Sequence, residues 1–161
     1  MDASQRNCIE ELYLEMFDML MAYARSALGC DGLAEEAVQE TFRIACQRPT
    51  EVCESANPQG WLVQTLKYTI RNIQRNQTSA KRLLDKYLET QGKGRAFSED
   101  RYDLRILFNN VADTEEFKLL AEMAIEGRSH LEMATSRGIS VDACKKRVQR
   151  AKEKLQRKIK I

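Results

Sequence analysis

Histidine and tryptophan are almost absent from this chain, with one of each among 161 residues, and there are only two prolines. The lone His130 has no second imidazole and no evident catalytic partner, which argues against a zinc site and against an enzyme acting on nucleic acid. No apolar run approaches the length of a membrane span, and the polar start MDASQRN lacks the basic and apolar regions of a secretory leader. We therefore expect a cytoplasmic protein without membrane insertion. The cysteines (Cys8, Cys30, Cys46, Cys53 and Cys144) include no CxxC pair, and an odd number of scattered thiols fits small, reduced core residues better than a disulfide framework. No metal or cofactor is expected.

The chain also lacks a strong charge of one sign, but its net +2 conceals blocks. Residues 1–58 sum to −7, 59–98 to +6, 99–140 to −4 and 141–161 to +7. An acidic, basic, acidic, basic order suggests two modules, each with an acidic part suited to protein and a basic part suited to nucleic acid.

The stretch from Arg128 to Ile159 reads as two helices joined by a tight turn. Ser129 is placed to cap a short helix carrying Leu131, Met133 and Ala134. Gly138 supplies the positive φ that ends it, and Ser140 caps the next. That is a helix-turn-helix pattern. In the second helix Cys144, Val148, Ala151, Leu155 and Ile159 share one face and form a buried stripe. Lys146 and Arg150 point away from it, with Lys145 and Gln149 on one shoulder and Arg147 and Lys154 on the other. Surface helices usually mix signs, whereas residues 141–161 hold nine Lys or Arg against Asp142 and Glu153. Such an excess suits a phosphate backbone, and the outer face fits a major groove.

Nearer the start, Ile9, Leu12, Tyr13, Met16, Phe17, Leu20, Tyr23, Ala24, Ala27 and Leu28 recur at helical spacing and predict one long amphipathic helix that Gly29 ends. Asp31 is placed to cap the next, which runs from Leu33 to about Gln47. It buries Leu33, Ala37, Val38, Phe42 and Ala45 and displays Glu35, Glu36, Gln39, Glu40 and Arg43. A loop from Arg48 to Gln59 holds both prolines. It leads into GWLVQTLKYTIRNIQRNQ, where Leu62, Leu66, Ile70 and Ile73 form a narrow buried stripe and Lys67, Arg71 and Arg75 repeat every four residues. Trp61, Tyr68, Asn72, Asn76 and Gln77 place flat or amide groups near those charges, a mixture that suits single-stranded nucleic acid. Trp61 equally suits a plug at the helix entrance.

From Thr78 to Tyr102 the chain carries mixed charge and no sustained apolar period after Leu88, like a helix end running into a flexible connection. Apolar spacing resumes at Leu104, Ile106, Leu107 and Phe108. Thr114 or Asp113 is then placed to cap a helix bearing Phe117, Leu119, Leu120, Met123 and Ala124, closed by Gly127. The expected fold is all-α: helical domains over 1–78 and 104–161, the latter with the helix-turn-helix, joined by a linker over 79–103.

This order of parts resembles the bacterial RNA polymerase sigma factors of the sigma-70 class, in their compact extracytoplasmic-function form, across nearly the whole chain. LAEEAVQETFRIA is similar to the family segment "AED-x-x-Q-x-x-F" through Ala34, Glu35, Glu36, Gln39 and Phe42. GWL at Gly60 to Leu62 resembles the entry to the helix that melts and reads the minus-10 element, and Arg75 matches a late arginine of that helix. EGRSHLEMATSRGIS is similar to "eG-x-s-x-x-EIA-x-x-lgis" through Glu126, Gly127, Glu132, Ala134, Gly138, Ile139 and Ser140, and KKRVQRAKEKL resembles the recognition helix. The family usually has Asn and Asp where this chain has Tyr68 and Asn72, and Val where it has Cys144.

The resemblance implies a non-enzymatic protein that binds core RNA polymerase and directs promoter recognition, DNA melting and transcription initiation. Glu35, Glu36, Gln39 and Glu40 would dock on the polymerase clamp helices, and the C-terminal module would rest on the flap. Trp61, Lys67, Tyr68, Arg71, Asn72 and Arg75 would serve the minus-10 element, and Lys145, Lys146, Gln149 and Arg150 the minus-35 element. Control would come from outside the chain, an anti-sigma factor being one form of it. The alternative from another class is a stand-alone helix-turn-helix regulator on duplex operator DNA. It accounts for the C-terminal half but leaves the acidic helix and the Trp61 helix without a task.

Overall fold

The computed structural model describes residues 1–90 and 115–160, except for the side chain of Lys160. Among these the structure is largely helical and has no strand. The elements are α1 (Ala3–Leu28), α2 (Asp31–Gln47), α3 (Pro49–Cys53), α4 (Pro58–Thr90), α5 (Glu115–Ala124), α6 (His130–Arg137) and α7 (Val141–Lys160). No described helix is long and apolar enough to cross a membrane. The chain divides into two compact units, Met1–Gln74 and Arg75–Ile161, with the boundary inside α4.

In the first unit α1 opens on a capping box: Asp2 accepts from the Gln5 amide at 2.8 Å while the Gln5 side chain accepts from the Asp2 amide at 3.1 Å. Ile9, Leu12, Met16, Leu20 and Ala24 then bury one face against α2, which contributes Ala34, Ala37, Val38, Phe42 and Ala45. Leu62, Leu66 and Ile70 of α4 complete this core, as their spacing predicts. Tyr13 and Tyr23, expected in the buried stripe, are instead exposed at its margins. The Tyr13 ring lies edge-on to Phe42 at 4.9 Å and tilted on Phe17 at 5.1 Å.

Two further expectations change here. Asp31 does not cap α2: it is the first helical residue, Cys30 stands at the cap position without a side-chain capping bond, and Asp31 accepts from Arg25 at 2.8 Å. A carboxylate in the first turn is still favoured by the helix dipole. The segment 48–59 is not wholly a loop. Pro49 occupies the start of α3, where its missing amide proton leaves no bond unmade, and Val52 is fully buried in the core. Pro58 likewise begins α4, whose Gly60 amide donates to Asn57 Oδ1 at 3.0 Å.

The second unit contains the last turns of α4 together with α5, α6 and α7. Residues 79–90, assigned from sequence to the linker, are helical here. Ala80, Leu84, Tyr87 and Leu88 are buried with Phe117, Leu120, Met133, Cys144, Val148 and Leu155. Their spacing of four, three and one residues continues an apolar helical face. The rest of that segment, the Leu104–Phe108 run and the cap at Asp113 or Thr114 lie outside the described residues. Tyr87 and Phe117 rings meet at 5.6 Å.

Candidate nucleic-acid interface

Local chemistry sets the path of the chain through α6 and α7. Ser129 Oγ accepts from the Glu132 amide at 3.1 Å, the cap expected for α6. Gly138 ends that helix at φ 64°, a conformation that strains any residue with a Cβ. The Ala143 amide then donates to Ser140 Oγ at 3.1 Å and starts α7. Met133 and Ala134 are buried as expected, but Leu131 is exposed.

Along α7 the stripe is as the sequence spacing predicts: Cys144, Val148, Ala151 and Leu155 are buried, and Ile159 packs against the same core. Lys145, Lys146, Gln149 and Arg150 are all exposed, and Gln149 donates to Glu153 at 3.3 Å. Lys154 is not free for an outside partner, because its ammonium bonds Glu116 of α5 at 2.6 Å. That hydrogen bond holds the Glu116 carboxyl below its ordinary value. Burial pulls the Lys152 ammonium down. Between α5 and α7 lies a cleft of about 230 Å³, acidic on the α5 side at Glu115 and Glu116 and basic on the α7 side at Arg147 and Arg150.

A charge network invisible in the sequence steadies α6. Arg137 donates two bonds of 2.9 Å to the carboxylate of Glu122, which also accepts from Arg128 at 3.1 Å. Glu115 adds a longer contact to Arg137 at 3.4 Å. Bonding to Glu122 raises the Arg137 guanidinium above its ordinary value. Such a fork is charge-assisted and geometrically demanding, so it fixes α6 on α5. Arg137 lies fifteen residues from Glu122 and twenty-two from Glu115, and no local pattern announces those pairs.

In the first unit Trp61 is half-buried against the core, so the plug at the helix entrance describes its packing. Lys67 and Asn72 are half-buried, Arg71 is exposed, and Tyr68 is 58% exposed, an aromatic ring presented to solvent beside two cations. Arg75, next in the four-residue register, is exposed and opens the second unit. On α2, Glu35 and Gln39 are exposed while Glu36 and Glu40 are half-buried. Glu40 is clasped by Arg43 through bonds of 2.7 and 2.5 Å, so the acidic edge is partly neutralised within its own helix.

The cations among the described residues fall into two classes. Arg25, Arg43, Arg48, Arg128, Arg137 and Lys154 each pair with a carboxylate. Among the described residues Lys67, Arg71 and Arg75 of α4 and Lys145, Lys146, Arg147 and Arg150 of α7 make no ion pair. Arg6 and Lys118 are also unpaired but stand singly on other helices. Among the described residues, unpaired positive charge is thus concentrated on two helices, each with an opposite face buried in a core.

The cysteines are mostly packing groups. Cys144 is fully buried, Cys8, Cys30 and Cys53 are half-buried, and Cys46 is exposed. Burial, reinforced by the hydrogen bond and charge of Cys8, pushes the Cys53 thiol up to about 12.

No protein-family model, curated protein or solved structure matches the chain.

Proposed function

We propose that the chain is an RNA polymerase sigma factor of the compact extracytoplasmic-function kind, made of two helical modules and a connection, the second module a helix-turn-helix. The observation that carries this reading is the concentration of unpaired cations on α4 and α7, where the sequence resembles the two promoter-reading helices. Lys145, Lys146, Gln149 and Arg150 would approach the minus-35 element in a major groove. Lys67, Tyr68, Arg71, Asn72 and Arg75 would meet the minus-10 element, with Tyr68 the ring best exposed for stacking on an unpaired base. Glu35, Glu36 and Gln39 of α2 would meet the clamp helices of core polymerase. On this reading the α2 acids would serve protein and the cations of α4 and α7 would serve DNA.

The mechanism needs no catalytic group. Two weak DNA contacts on one tether become selective when both engage, because the second binds at high effective concentration. Capture of flipped non-template bases offsets the few kcal/mol that unstacking typically takes. A promoter is then read only when polymerase holds both modules in place.

The test is capture of core RNA polymerase by the purified protein, beside a Glu36→Lys, Gln39→Ala variant. We expect the intact protein to bind and the variant to lose binding, while a Lys146→Glu, Arg150→Glu variant still binds polymerase but no longer supports promoter-specific transcription. Absence of polymerase binding, together with tight recognition of a duplex operator, would replace this reading with the stand-alone regulator.

A further inference from the structure

We infer that the last four turns of α4 carry a second DNA-backbone contact, made by Arg75, Arg82 and Lys86 on duplex phosphates. This rests on the nucleic-acid reading above and extends it into a segment that looks in sequence like the start of a linker. Ala80, Leu84, Tyr87 and Leu88 turn one side of this helix into the core of the second unit. At 100° per residue, Arg75, Arg82 and Lys86 lie on the opposite side, with the hydroxyls of Thr78 and Ser79 between them. All five are exposed.

Charged faces are usually solvated faces, and their signs are then mixed and paired. Here Arg75, Arg82 and Lys86 have no ion pair among the described residues, although Asp85 and Glu89 are helical neighbours. Asp85 has a buried carboxylate oxygen and so sits at the edge of the core, leaving Glu89 as the acid of this face, at its C-terminal end. At about 1.5 Å of rise per residue, Arg82 lies roughly 10 Å from Arg75 and 6 Å from Lys86 along the helix. Long side chains at that spacing can neutralise phosphates of one strand.

The class of nucleic acid follows from what the face lacks. Single-strand sites combine cations with exposed rings on which bases stack. The ring in this segment, Tyr87, is buried against Phe117. Cations and hydroxyls without a stacking platform fit the backbone of paired DNA, where contacts position the protein and carry no sequence information.

The measurement is the salt dependence of binding of the full-length protein to a labelled duplex of arbitrary sequence, between about 50 and about 200 mM salt, where each neutralised phosphate contributes a slope of about 0.9. An Arg82→Ala, Lys86→Ala variant should lower the slope by about 1.8, two contacts' worth. Alanine keeps the helix, and an Arg82→Lys, Lys86→Arg variant should retain the wild-type slope. If the alanine variant keeps the full slope while Lys146→Ala, Arg150→Ala lowers it, the contact on α4 does not exist and the role of α7 stands. A loss of slope shared by the charge-conserving variant would also overturn the inference, as would undetectable duplex binding by the wild type; polymerase capture would then decide the function separately. Greater loss on a single strand than on a duplex would overturn the assignment to paired DNA.

Discussion

Replacing Arg137 by Met should loosen α6 and α7 while leaving the first unit untouched. The guanidinium makes two bonds of 2.9 Å to Glu122, and the two side chains are only 15% and 22% exposed. Methionine preserves most of the stem packing, so what is lost is the charge-assisted fork. Hydrogen bonds to charged groups contribute about 1.5–3 kcal/mol each. Residual exposure and the continued presence of Arg128 beside Glu122 reduce that, and we expect about 2 kcal/mol in all. Because the chain has two units, a single melting temperature would blur the effect. Amide hydrogen exchange read on peptides of residues 130–160 isolates it: about 2 kcal/mol corresponds to roughly thirtyfold faster exchange. Arg25→Met is the internal comparison, since Arg25 and Asp31 are 54% and 77% exposed at 2.8 Å. It should change exchange of α1 and α2 by less than about threefold, as exposed pairs contribute little. Unchanged protection of α6 and α7 in Arg137→Met, or an equal effect from Arg25→Met, would refute the reasoning that burial decides the worth of these pairs.

Three further outcomes are expected. Gly138→Ala should destabilise the α6–α7 turn by about 1–2 kcal/mol through left-handed backbone strain alone, since an added Cβ would meet nothing within 4 Å; hydrogen exchange reads it, and Gly138→Asn should lose less. Glu116 has its folded value lowered by Lys154, so its contribution is complete above the ordinary value of 4.5 and disappears as pH falls through the lower folded value. The gap in urea midpoint between wild type and Glu116→Gln should therefore close in acid; a gap that widens there contradicts the pairing. Cys53, pushed up to about 12, should resist alkylation in the native protein at mildly alkaline pH while the exposed Cys46 reacts first, as mass spectrometry of timed samples would report.

How much of this was legible in the sequence depended on the range of the forces involved. Ser129, Gly138 and Ser140 act within one helical turn, and the stripe from Cys144 to Leu155 follows from helical period, so caps, turn and buried face were all readable. The outward Lys145, Lys146, Gln149 and Arg150 came with them. Residues 79–90 were obscured because Lys81, Arg82, Asp85 and Lys86 dilute an apolar face that only packing against Phe117 and Leu120 makes evident. The helix α3 lies within the segment expected as a loop, because Pro49 suits a helix start as well as a turn. Leu131, Tyr13 and Tyr23 fit an apolar period yet remain exposed, because period alone does not tell how wide a face its neighbours cover. The bonds of Arg137 to Glu122 and of Lys154 to Glu116 link distant positions, and a single sequence carries no signal for them.

The burial of Ala80, Leu84, Tyr87 and Leu88 bears on how the gene can be cut. A C-terminal fragment begun at Leu104, where the apolar pattern resumes, would leave four core positions vacant. A fully buried Leu contributes about 1.5–3 kcal/mol, so two leucines and a tyrosine amount to much of the roughly 5–15 kcal/mol that holds a small domain folded. The transferable cassette accordingly begins at Arg75. Chimaeras spliced within 79–90 would inherit half a core from each parent, and their failure to fold would mimic loss of the proposed DNA binding.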